Sequence, residues 1–177
     1  DMTDPVQRMI AEIFQRYQRE LRRNNAFDFD DLISETVFLF RNHPDIAAQY
    51  QRKFKHILVD EYQDTNHAQY SLIRELTMPL DPDLAARNPE MIDPRTGALP
   101  EPACLTVVGD SDQSIYAFRG ADIRNISEFE KDFAGARTIL LEQNYRSTQN
   151  ILSAANAVIS NNFDRPNKNL WTDSGDG

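Results

Sequence analysis

Two carboxylates, Asp60 and Glu61, directly follow the apolar run Ile57-Leu58-Val59. An apolar, β-branched run that ends in charge reads as a buried parallel strand delivering side chains at its C-terminal end, where open α/β sheets place their ligands. In nucleotide hydrolases a carboxylate at such a position holds Mg²⁺, and a neighbouring one can polarise the attacking water. The plainer alternative is an acidic turn that caps the next helix through Asp64 or Asn66. A second apolar run, Leu105-Thr106-Val107-Val108, ends at Gly109-Asp110 and leads to Gln113, Tyr116, Phe118 and Arg119. A neutral amide there can meet a phosphate oxygen or hold a water, and aromatic faces can stack on nucleic-acid bases. A third run, Thr138-Ile139-Leu140-Leu141, precedes Tyr145-Arg146, an aromatic face beside a permanent cation.

These residues sit inside three long blocks in a fixed order. Asp60-Glu61-Tyr62-Gln63-Asp64-Thr65-Asn66 resembles the Walker B segment, motif II, of UvrD/PcrA/Rep-type superfamily 1 DNA helicases. Val107 to Ala121 is similar to their motif III, and Leu141-Glu142-Gln143-Asn144-Tyr145-Arg146-Ser147-Thr148 to motif IV. The resemblance covers most of the chain from about Ala26 onward. It implies an α/β chain of the RecA-like P-loop NTPase fold, a parallel sheet flanked by helices and present here as a partial domain. The implied activity is ATP hydrolysis with Mg²⁺, coupled to 3′-to-5′ translocation on single-stranded DNA and duplex unwinding at junctions.

By that resemblance Asp60 would hold Mg²⁺ and Glu61 would orient the nucleophilic water. Gln113 would sense the γ-phosphate, Arg146 would be the arginine finger, and Tyr145 would stack on adenine. Tyr116 and Phe118 would stack on DNA bases from one side of an extended segment. Many relatives carry tryptophan where this chain has Phe118, which reduces the stacking area. Arg119 would couple the site to DNA or to an acidic neighbour. The resemblance also implies a bacterial, cytoplasmic, nucleoid-associated setting in DNA repair or replication restart, with repair-protein partners.

No Gly-x-x-x-x-Gly-Lys-Ser/Thr phosphate loop occurs in the sequence. The expectation is therefore a helicase fragment, inactive by itself. Other readings are a non-catalytic interaction module of the same fold and a different P-loop enzyme sharing only Walker B. The net charge of −9 does not favour a nucleic-acid partner, so the DNA reading rests on the motifs. One cysteine excludes an internal disulfide and fits a reducing compartment, and three histidines disfavour a zinc cluster. No apolar run reaches membrane-spanning length.

The positioning elements follow from periodicity. Residues 5 to 23 read as a helix with Val6, Ile10, Ile13, Phe14, Tyr17 and Leu21 on one stripe and Arg16, Arg19, Arg22 and Arg23 on a solvated face. By resemblance, 1–24 is the helical return from an inserted subdomain, 25–135 the latter half of a first RecA-like domain, and 136–177 the start of a second. The next helix, opened by Phe27 to Asp31, carries Phe29, Leu32, Ile33, Thr36, Val37 and Phe40 on an apolar stripe, with Asp28 and Asp30 as its capping carboxylates. Shorter helices are expected near Ile46 to Phe54 and from Asn66. Residues 77–103 hold six of the nine prolines and read as a surface loop insertion. One helix from Asp122, a strand at 138–141, a helix capped by Ser147 and a linker from Asn162 complete the expectation.

Overall fold

The computed structural model describes residues 4–162 and 168–177. The chain mixes helices with a small parallel sheet and divides into two compact units. One comprises residues up to Ile57 and His67–Thr106; the other comprises Leu58–Asn66 and residues from Val107 onward.

In the first unit, α1 (Pro5–Arg23) is set by its ends. The Asp4 carboxylate accepts from Val6 N–H, proline occupies the first turn, and Arg22 and Arg23 sit at the negative end of the dipole. The apolar stripe is present, yet no residue of α1 is buried. Helix α2 (Phe29–Asn42) opens on a reciprocal capping box in which Asp28 accepts from Asp31 N–H and Asp31 accepts from Asp28 N–H. Asp31, rather than Asp30, is thus the second capping carboxylate.

Helix α2 packs on α3 (Pro44–Lys53) and α4 (His67–Thr77). The inward residues are Val37, Phe40, Ala47, Ala48 and Ile73. The small Ala47 and Ala48 let α3 approach closely. Gln51, fully buried beside them, donates from Nε2 to the carbonyls of Glu75 (2.9 Å) and Met78 (3.1 Å), covering the C-terminal end of α4.

The proline-rich segment does not remain an unstructured surface loop. It forms α5 (Pro82–Arg87), capped by Asp81, then a 3₁₀ turn at Pro89–Met91 and an antiparallel bridge between Asp93 and Ala98. Met91 is fully buried in a cluster with Ala48 and Ala85, flanked by Leu80, Ile92 and Leu99. The prolines pre-set turn and helix-start geometry, so the missing periodicity hid a folded segment.

Strands β1 (His56–Val59) and β2 (Cys104–Val107) form the sheet. Cys104 N–H donates to Lys55 and Val108 N–H to Val59, so the partners advance together and the pairing is parallel. β1 is not buried on both faces as its apolar run suggested: Leu58 is 77% exposed, because nothing among the described residues covers that face.

In the second unit the expected helix from Asp122 is two short ones, α6 (Arg124–Ser127) and α7 (Phe129–Asp132). Phe129 stacks on Phe133 and meets the buried Tyr62 ring edge-on at 5.5 Å. No strand forms at 138–141, where Ile139, Leu140 and Leu141 are exposed and have no ladder partner among the described residues. Helix α8 (Gln149–Ile159) starts one residue later than expected, with Thr148 at the N-cap and no side-chain capping bond. Of its apolar side only Leu152 is buried. The tail is more than linker. Residues 169–173 bond to Glu142, Gln143, Asn144, Gln149 and Asn156, while 163–167 lie outside the described residues.

Candidate active site

Every candidate residue lies in the second unit; Asp60 and Glu61 directly follow β1, and the segment carrying Gln113, Tyr116, Phe118 and Arg119 follows β2. Val59 hands the chain to Asp60, whose Oδ1 accepts from Glu61 N–H at 2.9 Å. Glu61 adopts φ 48°, ψ 44°, the left-handed region that a non-glycine residue occupies at a cost of about 1–3 kcal/mol. A 3₁₀ turn at Tyr62–Asp64 follows, pinned to β2's end by Tyr62 N–H on the Val108 carbonyl. Asp60 and Glu61 are exposed.

The centre of this turn is Gln63, which the motif reading passed over. It is 1% exposed. Its Nε2 donates to Glu61 Oε2 at 2.7 Å and to Asp64 Oδ2 at 3.3 Å, while its Oε1 accepts from Asp110 N–H at 2.9 Å. Asp64 Oδ1 is buried and has no hydrogen-bond partner among the described residues. Gly109 lets the backbone lie close against this amide. A Cβ at Gly109 would lie 2.6 Å from Gln63 Oε1.

Asp110 gathers the next group. Its Oδ2 accepts from Gln113 Nε2 at 2.9 Å, its Oδ1 accepts from Asp112 N–H at 3.1 Å, and Lys168 Nζ lies 2.7 Å from Oδ1. Burial pushes this carboxyl's pKa up, but hydrogen bonds from Lys168, Gln113 and Asp112 outweigh it and hold the group below the usual aspartate value. Glu61, Gln63, Asp110 and Gln113 therefore form one hydrogen-bonded chain. Lys168 was hidden in the stretch read as linker, and only its charge near other polar residues could have drawn attention to it.

The two aromatics do not line an extended segment. Ala117–Arg119 is a 3₁₀ turn, which brings the Tyr116 and Phe118 rings to 6.0 Å with a 45° tilt. The Arg119 guanidinium lies over both, 4.8 Å from the Tyr116 centroid and 5.4 Å from that of Phe118, so its partners are rings. Phe118 is 79% exposed and Tyr116 half-buried. Asn66 and Ala121 bridge across this segment's base, and the buried Asn125 amide donates to the Thr65 carbonyl and hydroxyl. These bonds fix the aromatic turn to the carboxylate turn.

Tyr145 and Arg146 are presented by Asn144, whose Oδ1 accepts from both Arg146 N–H and Ser147 N–H at 2.8 Å. Asn144 N–H in turn donates to the Trp171 carbonyl at 2.7 Å. Tyr145 is 82% exposed, with its hydroxyl donating to Gln143 Oε1. The Arg146 guanidinium is exposed and has no hydrogen-bond or ion-pair partner among the described residues. No such bond joins Tyr145 or Arg146 to the Glu61–Gln113 chain among those residues.

Residues 1–134 match the model of the UvrD/REP helicase N-terminal domain, and residues 139–177 match that of the UvrD-like helicase C-terminal domain. The chain belongs to the UvrD/Rep helicase family. Among similar proteins, the ATP-dependent DNA helicase UvrD1 of Mycobacterium tuberculosis is 57% identical over 175 residues, 99% of this chain and 21% of that protein. The ATP-dependent DNA helicase PcrA of Staphylococcus aureus is 50% identical over 177 residues, all of this chain and 21% of the relative. PcrA of Leuconostoc citreum is 49% identical over 171 residues, 97% of this chain and 20% of the relative. The chain thus spans about a fifth of the length of these UvrD-family relatives. Among the described residues no helix is long and apolar enough to cross a membrane.

Proposed function

We propose that this chain supplies the carboxylate, sensor and arginine-finger segments of an ATP-dependent DNA helicase, within a RecA-like architecture. The observation that carries the reading is the hydrogen-bonded chain from Glu61 through Gln63 and Asp110 to Gln113, set at the carboxyl ends of two parallel strands. Packing alone does not require an exposed glutamate at positive φ to be served by a buried amide.

The donor set fits Mg²⁺. Asp60 and Glu61 offer hard, exposed oxygens, and Asp64, whose buried Oδ1 has no hydrogen-bond partner among the described residues, shares the Gln63 amide with Glu61 and adds negative potential. Such an ion would be held by Asp60, with substrate phosphates completing its shell, and would supply charge neutralisation for phosphoryl transfer. Glu61 would hold the attacking water and accept its proton. Gln113 would report the γ-phosphate to Tyr116, Phe118 and Arg119, three to six residues on. There Phe118 offers a face for a base of single-stranded DNA, worth roughly 1–3 kcal/mol per stack. Arg146 is uncommitted and able to meet developing phosphate charge, and Tyr145 presents a face for adenine. On this reading 25–135 and 136–177 belong to two successive RecA-like domains, with unwinding 3′ to 5′ at duplex junctions and a setting in DNA repair at the nucleoid.

The test is Mg²⁺-ATP turnover, with and without single-stranded DNA, by the intact helicase polypeptide that contains this chain, beside its Glu61→Gln variant. A DNA-stimulated rate that falls about 10²–10⁴-fold in the variant is expected. Turnover retained by Glu61→Gln would overturn the assignment. Binding of DNA with no nucleotide turnover would favour the non-catalytic module.

A further inference from the structure

We propose that Gln63 is the positioning residue for the Glu61 carboxylate and the physical link between it and the Gln113 loop. The proposal rests on the reading of Glu61 as the base that activates water. Gln63 is buried, in one orientation, and placed between two functional segments 47 positions apart in sequence. The direction of its amide follows from chemistry. The opposite flip would aim Oε1 at the Glu61 and Asp64 carboxylates and Nε2 at the Asp110 N–H, an acceptor facing acceptors and a donor facing a donor.

Glu61 needs such a hold. Its side chain is exposed and flexible, and on its own would sample several rotamers at the strand end. The 2.7 Å bond to Gln63 is charge-assisted, so it selects one of them. The other end of the same amide accepts from Asp110 N–H, and Asp110 Oδ2 in turn accepts from Gln113. A displacement of the loop at Asp110 is therefore felt at Glu61 through a single rigid group. Gly109 makes this possible, since a Cβ there would strike Gln63 Oε1.

Two substitutions separate positioning from packing. Gln63→Met fills the space but neither donates nor accepts. Gln63→Glu is nearly isosteric and still accepts from Asp110 N–H, but it loses the donor to Glu61. Each is measured by DNA-stimulated ATP turnover in the intact helicase, alone and combined with Glu61→Gln. Both single variants are expected to lower kcat by about 10–100-fold, as misplacement by roughly 1 Å does, with KM for ATP changed less than about 3-fold. In the Glu61→Gln background either substitution should change kcat by less than about 2-fold, because residues acting as a unit are not additive. Wild-type kcat in Gln63→Glu beside an inactive Glu61→Gln would overturn this proposal alone, as would losses that multiply in the double variants. Wild-type turnover in Glu61→Gln by itself would overturn the underlying reading and the proposal with it. Gln63→Glu keeps the test decisive if Gln63→Met folds poorly.

Discussion

Replacing Lys168 with methionine should destabilise the second unit in a pH-dependent way. The Lys168 ammonium lies 2.7 Å from Asp110 Oδ1, with side chains 18% and 24% exposed, and 3.9 Å from Asp112 Oδ2. Exposed pairs contribute about 0.2–1 kcal/mol, and breaking a fully buried pair costs about 3–5 kcal/mol. This pair is half-screened, and Asp110 keeps its bonds from Gln113 and Asp112 N–H, so a loss of about 1–2 kcal/mol at pH 7 is expected. The folded-state pKa of Asp110 is lowered, so its contribution is fully present above the unfolded aspartate value of about 3.9 and is lost as pH falls through the folded value. The gap between the two proteins should therefore close below about pH 4. Urea unfolding followed by the fluorescence of Trp171, the one tryptophan and three positions from Lys168, reads this out. A gap that is the same at pH 7 and pH 3, or absent at pH 7, would refute the reasoning.

Two further substitutions test other parts of the account. Met91→Ala empties a fully buried site in the Ala48–Ala85 cluster and should cost about 2–4 kcal/mol in urea unfolding followed by far-ultraviolet circular dichroism. A cost under about 0.5 kcal/mol, normal for a surface site, would mean that the proline-rich segment is a loop after all. Asn144→Ala removes the one acceptor shared by Arg146 and Ser147 N–H and should speed hydrogen exchange at those two amides by about 5–30-fold, equivalent to about 1–2 kcal/mol. Unchanged protection would show that the turn is held by the Trp171 pairing instead.

Local signals in the sequence carried far. The helix over 5–23, the capping role of Asp28 and the two strands that precede the carboxylates all depend on neighbouring residues, and the structure forms them, the strands as His56–Val59 and Cys104–Val107. Expectations failed where the deciding partner was distant. Thr138 to Leu141 has strand composition but no strand to pair with among the described residues, and Ser147 gives way to Thr148 one residue on. In the proline-rich segment, periodicity was the wrong measure. A six-residue helix and a 3₁₀ turn are too short to show a repeat, yet they bury Met91 completely.

The chemistry divides the same way. Asp60, Glu61, Gln113, Tyr145 and Arg146 stand out as candidates because motifs specify residue types in short strings. What holds them was not. Gln63 stands in the same string as Glu61, but its importance comes from Asp110, far along the chain, and from the absence of a Cβ at Gly109. Lys168 acquires meaning only through the fold, which carries it to a carboxylate that a linker residue would never meet. Exposed residues that meet substrate are constrained by chemistry and leave a local signature. The buried polar groups that orient them are constrained by geometry between segments, which a single sequence does not print. The amide of Gln63 belongs to both classes: it lies within a motif, and its work depends on a partner outside it.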